Sequence, residues 1–205
     1  MAEEVAAEEL DITDELIAER RSEEPGETPS DMTPWMRPIV STIDRMNLWV
    51  GRLTCLLLVP IIFVMVWEVV ARKMFLAPTD FAYEYSRMLA GAMFMLGAGY
   101  ALLRGVHIRA DFIYRNWSVR TQGRIDAALY LILYFPALLI FAKVAFDYAA
   151  VAITRGERGM DTAWMPPLGP IKAALAAGVM LLLLQGVAEL CKSWYAATKG
   201  RWPDA

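Results

Sequence analysis

Histidine is almost absent from this sequence: His107 is the only one, and cysteine occurs twice, as Cys55 and Cys191. One imidazole cannot supply the histidine pair by which a membrane cytochrome ligates haem, and with two distant cysteines it makes no zinc-ligand set. Any nucleophilic scheme would need that same ring as its base, so no Ser-His-Asp or Cys-His set can be assigned. No catalytic residue, metal site or cofactor is expected, and the chain reads as a non-enzyme. Both cysteines lie in or beside apolar blocks and read as small apolar residues. A basic start followed by a short apolar run is also missing, because Glu3, Glu4, Glu8 and Glu9 stand there instead. The first apolar block is expected to act as an uncleaved anchor.

What is plentiful is apolar surface. Hydrophobic residues make up 57% of the 205, above the share of about 45–50% usual in soluble domains. Residues 1–33 are the exception: they carry Glu, Asp, Pro, Ser and Thr and cannot bury enough surface to offset the entropy of ordering. They read as a disordered acidic tail, followed by a membrane domain over 34–195 and a short tail over 196–205. A span needs about 20 apolar residues to cross roughly 30 Å of hydrocarbon. Four runs meet that, over 50–70, 85–103, 125–153 and 171–190. In lipid the backbone can satisfy its hydrogen bonds only internally, so an all-α fold of four transmembrane helices is expected.

Basic residues set the orientation, because loops rich in Lys and Arg stay in the cytoplasm. One side carries Arg37, Arg45, Arg52, Arg104, Arg109, Arg115, Arg120, Arg124, Lys192, Lys199 and Arg201; the other has Arg72, Lys73, Arg155 and Arg158. Both termini are placed in the cytoplasm. Between the second and third spans, Ile108, Phe112, Ile113 and Trp117 recur at helical spacing with polar residues between them, which predicts an amphipathic helix lying on the membrane surface. No basic stripe of a nucleic-acid binder is present; the lipid bilayer is the expected environment.

Charges within spans are costly, and each asks for a partner or a role. Glu68 and Arg72 stand four apart and Glu84 and Arg87 three apart, so each pair can meet on one helix face. Lys143 and Asp147 repeat the four-residue spacing deeper in the third span, where a lone charge costs roughly 2.5–3.5 kcal/mol. They can form an intramembrane ion pair with each other or pair with a partner subunit. Gln185 and Glu189 face protein or headgroups. Small residues at Gly97, Ala101, Ala173, Ala174, Ala177 and Gly178 predict close helix packing, and Pro60 and Pro136 predict kinks.

Ordered motifs add a resemblance. Trp67-Glu68-Val69-Val70-Ala71-Arg72 ends the first span, Ala77-Pro78-Thr79 forms a turn, and Tyr83-Glu84-Tyr85-Ser86-Arg87 opens the second. Gly105-Val106-His107-Ile108-Arg109-Ala110-Asp111 follows Arg104. Together they resemble the small permease subunit of tripartite ATP-independent periplasmic (TRAP) transporters, the DctQ type. The family commonly has two adjacent acids before Ser-Arg; here Tyr83 takes the first place. The resemblance implies a scaffold subunit of a sodium-coupled importer of organic acid anions in a bacterial inner membrane. It would work with a large permease subunit and a periplasmic substrate-binding protein. It further implies structural or subunit-contact roles for Glu68, Arg72, Glu84, Arg87, Arg104, His107, Arg109 and Asp111, with no substrate-binding residue in this chain. The competing readings are a self-sufficient four-helix exporter built on Glu68 and a membrane anchor for a redox complex.

Overall fold

A computed structural model describes residues 29, 31–105 and 117–203. The surface helix expected around 108–117, together with His107, Arg109 and Asp111, falls outside the described residues except at Trp117.

Among the described residues four helical rods are each long and apolar enough to cross a bilayer. The first is split into α1 (Met36–Cys55) and α2 (Leu58–Met74). Pro60 explains the split. It has no N–H to offer the Leu56 carbonyl, which accepts instead from Val59 at 3.2 Å, while Leu56 and Leu57 turn back to Leu53 and Thr54 at 3.0 Å. The second rod is α3 (Ala82–Leu103). The third is α4 (Val119–Leu129), a π-helical turn (Tyr130–Tyr134) and α5 (Phe135–Arg155). Pro136 again sits just beyond the irregular turn, and the Phe135 N–H reaches back five residues to the Tyr130 carbonyl. The fourth rod is the unbroken α6 (Gly169–Lys199).

The rods are not equivalent. α6 packs against α1, α3, α4 and α5, whereas α2 lies chiefly on α3. Half of the apolar window of α6 is buried, against 11% in each of the other three rods. Lipid gives helices no hydrophobic reason to associate, so their contacts need small side chains that let backbones approach. On α5 an alanine stripe, Ala142, Ala145 and Ala149, meets Ala176, Val179 and Leu183 of α6. Between α3 and α6, a Cβ on Gly178 would lie 2.3 Å from the Met95 carbonyl oxygen, so only glycine permits that approach. Gly97, a predicted packing residue, instead faces open space; Gly99 is the close-approach residue of α3, against Asn47 and the Leu181 carbonyl. Ala177 of α6 is likewise exposed; a helix offers several small-residue faces and the sequence does not rank them.

Gly178→Ala is therefore expected to lower stability by about 1–3 kcal/mol, the usual effect of overpacking, whereas Gly97→Ala leaves it unchanged or slightly raised. Unfolding of the two purified variants in the same detergent reads the difference.

Candidate functional site: two polar junctions and an exposed charged face

The polar residues that the bundle buries collect at its two ends. At the end carrying the termini, α1 presents Val40, Asp44, Asn47, Gly51 and Thr54 on one face at three- and four-residue spacing, all buried. On α6, Gln185, Glu189 and Lys192 follow the same rhythm. Gln185 is fully buried and joins the two helices. Its Nε2 donates to Asp44 Oδ1 at 2.9 Å and to Glu189 Oε1 at 3.2 Å, and its Oε1 accepts from Asn47 Nδ2 at 2.8 Å. Lys192 Nζ lies 3.0 Å from both Asp44 Oδ2 and Glu189 Oε1. Two carboxylates, one ammonium and two amides thus share one buried network. Below it Met32, Met36, Val40, Ala188, Cys191 and Tyr195 form an apolar plug. Asp31 then closes the end, accepting from Tyr195 Oη at 2.9 Å and pairing with Arg201. The Arg201 guanidinium, helped by the Tyr195 hydroxyl, holds the Asp31 carboxyl below the usual range.

The sequence reading missed Asp44, Asn47 and Lys192. Asp44 and Asn47 precede the span expected over 50–70, whereas the helix begins fourteen residues before Val50, at Met36. The matched spacing of Asp44 and Asn47 with Gln185, Glu189 and Lys192 was the available signal.

At the opposite end, Glu68 and Arg72 pair as expected, with Arg72 Nε at 3.1 Å and Nη2 at 2.6 Å from Glu68 Oε1. The other oxygen of Glu68 accepts from the Thr79 amide at 3.0 Å and from its hydroxyl. Glu68 therefore fastens the α2–α3 connection to the end of α2. Glu84 and Arg87 do not pair. Arg87 reaches across to Asp161 in the α5–α6 loop at 2.6 Å and covers the Tyr83 ring. Glu84 is fully buried with neither carboxylate oxygen hydrogen-bonded among the described residues. Gly159 lies against it, since a Cβ there would lie 3.3 Å from Glu84 Oε2, and the same Cβ would lie 3.3 Å from two atoms of the Pro166 ring. The loop that covers it is pinned by the Gly159 N–H to Pro166 carbonyl bond at 2.8 Å, by Trp164 set edge-on to Phe81 and Tyr85, and by the Lys172–Glu157 pair. Three-residue spacing allows two charges to meet but does not oblige them to; a long-range acid won the arginine.

Lys143 and Asp147 do not form the ion pair that was one of their two expected arrangements. Both side chains are exposed on the face of α5 turned away from α6, and neither bonds to any described residue. Arg104 Nε lies 3.1 Å from Tyr100 Oη, one turn back on α3.

The fold is that of a multi-pass membrane protein whose buried polar groups mainly tie helices and loops together. A family model described as "Tripartite ATP-independent periplasmic transporters, DctQ component" matches residues 61–195. The chain belongs to that family, as a component of a transporter. No curated protein and no solved structure matches it.

Replacing Lys192 by Met strips the buried network of its cation and leaves two carboxylates uncompensated. A loss of about 3–5 kcal/mol is expected, and adding Asp44→Asn should recover part of it. Detergent unfolding of the single and double variants checks both signs; equal stability of Lys192→Met and the unmodified chain would contradict the network.

Proposed function

We propose that this chain is the scaffold subunit of a sodium-coupled TRAP transporter for organic acid anions, holding a large permease subunit that carries the substrate and is supplied by a periplasmic binding protein. Both termini face the cytoplasm, in keeping with the excess of arginine and lysine at that end. The end capped by Glu84 and the α5–α6 loop then faces the periplasm, where the binding protein docks.

The observation that carries the reading is the exposed face of α5. Lys143 lies roughly 18 Å along the helix from Arg155, near the middle of the hydrocarbon, and Asp147 one turn nearer that end. Apolar Ile140, Val144 and Val151 continue the same face and are exposed. Two charges facing lipid without partners are expensive, and a second membrane protein with an acid opposite Lys143 and a donor opposite Asp147 removes that cost. The exporter reading fares worse, because the Glu68 carboxylate is already taken by Arg72 and Thr79.

Affinity purification from the native membrane should recover a large multi-span protein with the tagged chain. Lys143→Leu/Asp147→Leu is expected to lower that recovery at least fivefold while leaving the level of the chain itself unchanged. Recovery at the unmodified level would remove α5 as the contact face, and absence of any large partner would overturn the scaffold reading.

A further inference from the structure

A groove of about 420 Å³ opens between α4 and α6 at the end carrying the termini, lined by Arg120, Arg124, Trp194, Ala197 and Thr198. Nothing in the scaffold reading uses it. Arg120 and Arg124 stand one turn apart on α4, so their guanidiniums share a face and repel each other. Both are exposed, and neither has a hydrogen-bond or ion-pair partner among the described residues. Asp126, the nearest acid along α4, is two residues beyond Arg124 and therefore on the far side of the helix. The groove is fixed in shape: α4 meets α6 through Gly123, where a Cβ would lie 2.6 Å from the Ala197 nitrogen and 2.7 Å from the Ser193 carbonyl oxygen. Arg120 also packs over Gly200, the left-handed residue that ends α6.

Depth identifies the ligand. The rod from Val119 to Arg155 has 37 residues, about 55 Å of helix against roughly 30 Å of hydrocarbon. Both arginines precede its first apolar run, which begins at Ile125, and Trp194 lies four residues past Leu190, where the apolar run of α6 ends. The site is level with the lipid headgroups, and the Trp194 ring, more than half exposed, has the amphipathic character that suits that layer. The Thr198 hydroxyl is committed to the Trp194 and Tyr195 carbonyls, so the two guanidiniums are the donors. A planar fork matches phosphate oxygens in a way an ammonium does not.

We propose that Arg120, Arg124 and Trp194 form a binding site for the phosphodiester headgroup of an anionic phospholipid. The phosphate lies between the two guanidiniums, relieving their repulsion, and the acyl chains run down the apolar flank of the α4–α6 rods beside Trp194. Such basic pockets between membrane helices select anionic headgroups by charge. An annular lipid held here links α4 to the end of α6 at the level of the headgroups.

The test uses the full-length protein in mild detergent, with thermal unfolding followed as phosphatidylglycerol or phosphatidylcholine is added to the micelles. Phosphatidylglycerol should raise Tm in a saturable way and phosphatidylcholine should not, because a ligand of the folded state stabilises it by mass action. Arg120→Gln/Arg124→Gln should lose most of that rise, while Arg45→Gln, which removes an exposed arginine of α1, keeps it. Should the double variant fold poorly, Arg124→Gln alone is examined by native mass spectrometry, where at least a fivefold fall in retained phosphatidylglycerol is expected. A full phosphatidylglycerol response in the variants, or an equal loss in Arg45→Gln, would overturn the site. A rise of the same size from millimolar inorganic phosphate alone would overturn its assignment to lipid.

Discussion

The buried junction of Asp44, Asn47, Gln185, Glu189 and Lys192 is the constraint on which the arrangement of helices depends. Apolar faces of membrane helices slide past one another at little cost, since lipid solvates them as well as a neighbouring helix does. Polar groups inside the bundle have no such freedom. Gln185 uses its amide nitrogen and its oxygen across the α1–α6 contact, so a shift of one helix by a turn would leave buried polar atoms unsatisfied, at a cost of about 1–3 kcal/mol for each. The network fixes register, and the small residues then decide how closely the helices lie. Gly99 shows the two working together, because the absence of a side chain there makes room for the Asn47 carbonyl.

The opposite end is held by different means. Its fastenings are loop contacts: Glu68 to Thr79, Arg87 to Asp161, Lys172 to Glu157 and the rings around Trp164. Arg87 and Asp161 are about half exposed, and exposed pairs contribute little to stability. One end is thus fixed through helix interiors and the other through surface pairs and a covering loop.

Much of this was legible in the sequence, because the bilayer imposes a length and composition on any segment that crosses it. Four spans, the Pro60 and Pro136 irregularities and the Glu68–Arg72 pair follow from local rules of spacing and backbone chemistry. What escaped were decisions between distant residues. Asp44 and Asn47 lay outside the assumed first span, so their complement on α6 went unseen. Arg87 had a near acid and a far one, and only tertiary packing selects Asp161. Lys143 and Asp147 have ideal spacing yet bond to nothing described, a result that spacing alone cannot give. The family resemblance rested on residues around 67–111, whereas the family match extends over 61–195 and so covers the second half of the chain, where hydropathy was the only guide.

The proposed scaffold role requires the exposed face of α5 to be covered by a partner. A photo-crosslinking amino acid at Ile140, irradiated in intact membranes, tests that contact without solubilisation. A specific adduct with the large permease subunit is expected at Ile140 and none from Ala145, which is buried against α6. Crosslinking of Ile140 to lipid alone would contradict it.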